Sequence, residues 1–158
     1  MNKNEKLDIH KKFMQEAYKE AIIARDKDEV PVGAVIVRNC DKVIIARGHN
    51  SKEREKNSLL HAEIIAINKA SQFLNEWRLS DCSMYVTLEP CPMCAGAIVQ
   101  ARIKDLYIGT FDERTGACGS VVNITQNENF NHWVNVNWMY DTECSELITN
   151  FFRTKRGK

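Results

Sequence analysis

The chain has almost no net charge, no long apolar run and no repetitive stretch. Twenty-two Lys and Arg stand against 21 Asp and Glu, a formal charge of +1. No bulk field therefore draws the protein to nucleic acid, and any basic footprint is local. No apolar run approaches the ~20 residues that span a bilayer, so no membrane partner is expected. Residues 1–12 are polar and charged, without the apolar core of a signal peptide, and the expected location is cytoplasmic. No repeat, linker or low-complexity segment divides the sequence. Its 158 residues suit a single domain, 1–158, around one core. Six cysteines in a chain of this length do not make a disulfide framework.

What is present centres on two short pieces, His61-Ala62-Glu63 and Pro90-Cys91-Pro92-Met93-Cys94. The thiols are i and i+3, so on a helix they share a face. Prolines at 90 and 92 suit a helix start, where the positive end of the dipole stabilises thiolates. One imidazole and two thiols match zinc, and three protein ligands leave the fourth tetrahedral position open for water. Glu63 is not needed as a ligand. It lies two residues from His61, and i and i+2 diverge on a regular helix. Both reach one pocket only if the metal sits near the helix end. Two other readings stay open here. Cys91 and Cys94 form a C-x-x-C that also suits a redox pair. A closed structural zinc site would draw its fourth ligand from His49, Cys82, Cys118 or Cys144.

Along the chain, Ile9, Phe13, Ala17, Ala21 and Ala24 are three or four apart and predict an amphipathic helix over 8–25. Its small residues suggest close packing on a sheet. Residues 30–37 read as a buried strand, with Gly33 marking close backbone approach. Residues 43–48 return as a hairpin partner. A helix is expected over 61–74, with Ile64, Ile65, Ile67 and Phe73 toward the core. A strand follows over 82–88, a helix from Pro90 to about Arg102 and a strand over 105–111. Residues 112–120 and 123–131 read as loop. A fifth strand over 133–139 and a helix from Asp141 to near Phe152 precede a basic end, residues 153–158. Alternating strands and helices predict an α/β sandwich, with the site at strand C-terminal ends.

These residues carry a resemblance. H-x-E followed by P-C-x-x-C is the known signature of zinc-dependent base deaminases, so it is matched here and not deduced. The chain resembles the bacterial tRNA-specific adenosine deaminases of the cytidine deaminase superfamily over nearly its whole length. The match runs through Glu29 to Val35, His61 to Ile64, Tyr85 to Ile98, Arg102-Ile103, Thr115 to Ser120, Asn131-His132 and Phe151 to Arg153. The zinc motifs alone are shared with cytidine, deoxycytidylate and guanine deaminases, and the later motifs narrow the choice. Cys118 departs from the pattern, standing where alanine is common, and residues 51–57 are this chain's own.

The resemblance implies a three-layer sandwich with a five-stranded mixed sheet between helices, and a homodimer. It also implies hydrolytic conversion of wobble adenosine to inosine in a tRNA anticodon stem-loop. His61, Cys91 and Cys94 match the ligands of one Zn2+ per chain, and Glu63 matches the proton shuttle. Asn50 matches a position that hydrogen-bonds the purine. Asp112 and Arg114 match a loop that touches the flipped nucleotide. Asn131 and His132 match a pair near the anticodon loop, and Phe152 and Arg153 a helix end that contacts RNA. Without the resemblance, Asn50 reads as a turn residue and residues 112–114 as a solvated loop. His132 then reads as a core histidine, and residues 152–153 as the end of a docked helix. The rival functions are a guanine or cytosine nucleoside or nucleotide deaminase, and a zinc-stabilised binding module without catalysis.

Overall fold

In the computed structural model, which describes residues 1–157, one five-stranded sheet lies between two layers of helices. The elements follow the order α1 (Lys3–Asp26), β1 (Gly33–Arg38), β2 (Val43–His49), α2 (Ala62–Leu74), β3 (Cys82–Leu88), α3 (Pro92–Gln100), β4 (Asp105–Thr110), β5 (Asn135–Trp138) and α4 (Thr142–Arg156). The strand order is β2-β1-β3-β4-β5. β1 is antiparallel to β2 and β3, while β3, β4 and β5 run parallel. This is the mixed α/β sandwich expected.

Two buried clusters explain the layers. Ala34, Ile36, Met84, Val86, Leu106 and Ile108 point to one face, where Ala62, Ala66 and Ala70 of α2 and Ala95 and Ile98 of α3 cover them. Val35, Val37 and Tyr85 point to the other, against Met14 and Ala17 of α1 and Cys144 of α4. Successive residues of a strand face opposite ways. A strand buried on both faces therefore reads as the continuous apolar run seen in β1 and β3.

Close approach of helix to strand decides which residues form the core. A Cβ at Gly33 would collide with the backbone of Ala17 and Ala21 in α1, and one at Gly48 would lie 2.9 Å from Ala66 N in α2. Only small side chains fit between elements this near. The expected core face of α2 is corrected accordingly. Its buried residues are Ala62, Glu63, Ala66 and Ala70. Ile64, Ile65 and Ile67 are only half-buried, and Phe73 is 60% exposed, with the Arg38 guanidinium 5.9 Å from its ring centroid. Gly33→Ala should therefore destabilise the protein by about 3 kcal/mol, the upper part of the overpacking range, read as a lower denaturant midpoint at unchanged slope. A wild-type midpoint would mean that α1 can move off β1 freely.

Several boundaries differ from expectation, each for a local reason. α1 starts at Lys3, because Asn2 and Glu5 form a reciprocal capping box ahead of the apolar periodicity. β1 starts at Gly33 and not Val30, since Pro31 has no N–H to give a ladder. α3 ends at Gln100, and its C-cap residue is Ala101. α4 passes Phe152 and ends at Arg156, with Arg153, Lys155 and Arg156 in its last turn, where cations suit the helix dipole. Lys158, the last residue of the basic end, lies outside the described residues.

Candidate metal centre and active site

The N-termini of α2 and α3 meet at the C-terminal end of β3. His61 is the N-cap of α2 and Cys91 the N-cap of α3. Both have extended backbone, and neither side chain caps its helix. Freed from capping, each side chain turns toward the other. His61 Nδ1 lies 3.6 Å from Cys91 Sγ and 3.5 Å from Cys94 Sγ, and the three donor atoms all fall within 4.8 Å of one another. Zinc–sulfur and zinc–nitrogen bonds of about 2.3 and 2.0–2.1 Å at a tetrahedral angle put nitrogen and sulfur about 3.6 Å apart. The donor set fits that ion in both chemistry and spacing.

His61 at the N-cap also resolves the i, i+2 problem. It lies outside the helical turn, while Glu63 lies inside it, so the two side chains reach the same cavity. Asn50 takes over the abandoned capping role. Its Oδ1 accepts from Ala62 N at 2.9 Å, which leaves the amide Nδ2 as its remaining donor group.

No fourth ligand joins the three. Among the described residues the converging set is His61, Cys91 and Cys94 alone. His49 is paired through Nδ1 to Glu20 at 3.0 Å. Cys82 opens β3 at the far end of the sheet, and Cys144, in the first turn of α4, packs on the opposite face. Cys118 is buried near the cavity but outside the set. Three such donors would leave a tetrahedral ion one open position, the catalytic pattern.

The cavity beside these ligands is about 150 Å3, lined by Asn50, Lys52, His61, Glu63, Cys91, Asp112 and Thr115, with Glu29 and Glu89 in its walls. A larger groove of about 540 Å3 runs between α1 and α4, but it lies away from the metal donors. Three cavity-lining glutamates are nearly fully buried, and their partners separate their roles. Glu29 accepts from Glu53 N and Arg54 N, holding the loop that follows β2. Glu89 accepts from the backbone of residues 112, 118 and 120. Glu63 has no such backbone donors from a neighbouring loop. Burial pushes its carboxyl above the ordinary carboxylate range. A carboxyl whose proton affinity is raised in this way is suited to carrying a proton.

The three donors shift one another's affinity for protons. The Cys94 thiol, and behind it the His61 imidazole, pull the Cys91 thiol down to about 4 although burial opposes them. Cys94 is raised, first by Cys91 and then by burial. His61 is raised by Cys91, against burial. Two convergent helix N-termini favour negative charge here.

The motifs place His61, Glu63, Cys91 and Cys94 together and the resemblance adds Asn50 and Asp112; the structure brings these to one cavity. Arg114 stands exposed on the same loop, its N–H donating to Asp112 Oδ1 at 2.9 Å. Asn131 is exposed, and His132 Nε2 is bonded to Ile103 O at 2.7 Å. Neither reaches the cavity. Phe152 and Arg153 are exposed on α4, whose last turn is tied to the turn after α1 by Lys155 and Asp28, 2.6 Å apart. Glu29 and Glu89 were given no role from the sequence. A carboxylate at either end of an apolar strand next to a motif is the signal that marks them.

Comparison with known proteins agrees with this geometry. The family model described as MafB19-like deaminase matches residues 8–156. The chain is 46% identical over 147 residues to the tRNA-specific adenosine deaminase of Bacillus subtilis (strain 168), covering 92% of this chain and 90% of that one. A solved structure from a study of A-to-I editing by tRNA:A34 deaminases at the wobble position superposes with a TM-score of 0.82 at 40% identity. It covers 87% of this chain and 99% of that one. The guanine deaminase of Bacillus subtilis superposes with a TM-score of 0.62 at 29% identity, covering 94% of each.

Proposed function

The chain belongs to the MafB19-like deaminase family, and on that footing we propose that it hydrolyses adenosine to inosine at the wobble position of tRNA. The observation that carries this reading is the open His61–Cys91–Cys94 set with the buried, loop-unengaged Glu63 beside it. The choice of adenosine in tRNA over guanine is supported by the superpositions, 40% identity and a TM-score of 0.82 with the tRNA:A34 deaminase structure against 29% and 0.62 with the guanine deaminase.

His61, Cys91 and Cys94 are the residues that hold one Zn2+. When bound, the ion supplies a Lewis acid that makes water nucleophilic near neutral pH. Glu63 takes the proton from the attacking water. It delivers protons to N1 of the adenine and to the departing amine, so that water adds at C6 and ammonia leaves. Proton transfer of this kind is worth ~10²–10⁴-fold. Asn50, its Oδ1 already taken, offers Nδ2 to the base. Asp112 and Thr115 form the opposite rim. A cavity of about 150 Å3 takes one base and not a base pair. The substrate nucleotide is therefore flipped or single-stranded, as in an anticodon loop. Arg114, Asn131, His132, Phe152 and Arg153 lie outside the cavity and serve, in this reading, the rest of the stem-loop.

The test is to incubate metal-loaded protein with an anticodon stem-loop carrying a wobble adenosine, and in parallel with free guanine and cytidine. Inosine in the stem-loop and no turnover of the free compounds is expected. The reverse pattern would transfer the reading to the enzymes of free guanine or cytidine.

The protein acts in this reading as a cytoplasmic homodimer. Val121, Val122, Phe130 and Trp133 of the long loop between β4 and β5 are each about half exposed, apolar side chains that a second copy would cover. Sedimentation at micromolar concentration should give about twice the 18.2 kDa chain mass. A monomer that still edits would remove this claim. Among the described residues no helix is long and apolar enough to cross a membrane.

The last turn of α4 provides the local basic footprint. Arg153 and Arg156 are exposed there. Replacing both with Gln should lower the slope of log affinity for tRNA against log salt by ~0.7–0.9 for each phosphate no longer neutralised. The edited position should not change, because phosphate contacts carry no base information. Binding isotherms at several salt concentrations decide it. An unchanged slope would make these side chains solvated bystanders.

A further inference from the structure

We propose that Glu89 is a positioning residue for the substrate rim. It pins the loop of residues 112–120 to the start of the metal-binding helix and so sets the place of Asp112 and Thr115 in the cavity. The proposal rests on the reading of this cavity as the substrate site.

Glu89 follows β3 directly and precedes Pro90-Cys91, so its backbone is fixed by the sheet on one side and the metal helix on the other. Its carboxylate is 2% exposed and is surrounded by donors from one loop. Oε1 accepts from Asp112 N at 3.0 Å and from the Ser120 hydroxyl. Oε2 accepts from Cys118 N at 3.0 Å and Ser120 N at 3.2 Å. The two ends of the loop, 112 and 120, thus meet on one carboxylate. Gly116, midway, completes the fit, since a Cβ there would collide with the Glu89 carboxyl. Bonds from the backbone hold further: Glu89 N donates to Thr110 O and Ala117 N to Pro90 O, each at 2.9 Å.

This loop has no helix or strand of its own to hold it, apart from an isolated bridge at Cys118 and Asn123. It nonetheless carries two residues of the cavity lining, Asp112 and Thr115. Asp112 in turn caps its own turn, accepting from Arg114 N, Thr115 N and the Thr115 hydroxyl. Releasing Asp112 N from Glu89 therefore displaces the whole rim. Four donors leave Glu89 no free acceptor direction toward a substrate, which separates it from Glu63. Its action on the reaction runs through the loop.

Glu89→Gln tests this with almost no change of volume. The carboxamide offers one oxygen to donors that need two. The hydroxyl of Ser120 can turn to accept from the new NH2, but Asp112 N cannot. The expected result is an unchanged metal content, a KM for the anticodon stem-loop raised about tenfold or more, as for loss of a hydrogen bond to a charged group, and a smaller change in kcat. Amide exchange at residues 112, 118 and 120 should quicken by a similar factor. Gly116→Ala should move KM and exchange the same way with Glu89 intact, and it decides the matter if Glu89→Gln does not fold. Wild-type KM in a folded, metal-loaded variant would overturn the proposal. So would quickened exchange with KM unmoved. A wild-type protein inactive on the stem-loop would instead overturn the functional reading, and amide exchange would still show whether Glu89 pins the loop.

Discussion

Glu63→Gln is expected to reduce deamination of an anticodon stem-loop by about 10²–10⁴-fold, with metal content and fold unchanged. The side chain is buried at the second position of α2, 4% exposed. The carboxamide has nearly the same shape, so the packing around this buried position is kept. What it removes is the ability to take a proton from water and return it to N1 and the leaving amine. Burial already raises the carboxyl's proton affinity, which suits a group that must hold a proton for part of each cycle. The neutral amide carries no desolvation penalty for a charge, so thermal stability should stay level or rise. Single-turnover kinetics on the stem-loop, with elemental analysis of the same sample, give both numbers. A near-wild-type rate would return Glu63 to a structural role, and so would loss of metal alongside loss of rate.

The parts of this molecule that are local in sequence were legible there. The apolar runs of β1 and β3, the alanine spacing of α1 and the position of Gly33 all follow from which face touches what. So do the two metal motifs, whose spacing within each helix start is three residues or fewer. What was not legible depends on partners far along the chain. The sequence of α2 offers Ile64, Ile65, Ile67 and Phe73 to the core, of which only Ile67 packs against it, because the closeness of Gly48 to Ala66 puts alanine at the contact. Periodicity within α2 does not contain that distance. Glu29 and Glu89 likewise looked like ordinary charged residues at strand ends. Their donors come from residues 23 to 31 positions later, and only the folded backbone brings them to one carboxylate. The relation between His61 and Glu63 hinged on a single dihedral choice. With His61 extended at the N-cap, two side chains that diverge on a regular helix converge on one cavity.

Removal of the thiols should abolish both metal and activity. In the Cys91→Ala, Cys94→Ala double variant the only nitrogen or sulfur donor left in the set is His61, and one imidazole does not retain zinc against dilution. Wild-type protein should hold one zinc per chain by elemental analysis, the double variant and His61→Ala far less than one. The spacing already matches the ion, with nitrogen to sulfur distances of 3.5 and 3.6 Å. Little rearrangement is therefore needed on binding. The loss should be larger for activity than for stability. His61 and Cys91 sit at helix N-caps and Cys94 in the first turn of α3, while α2 is held to the sheet by Ala62, Ala66 and Ala70 and α3 by Ala95, Ile98 and Val99. This separates the centre from a closed structural site, whose loss unfolds a small domain outright. Circular dichroism of the double variant should show the wild-type helix content, with deamination undetectable. A full zinc complement in that variant would place the ion elsewhere and sink the assignment. Unfolding on metal loss would make the site structural, and the open fourth position would then need another occupant.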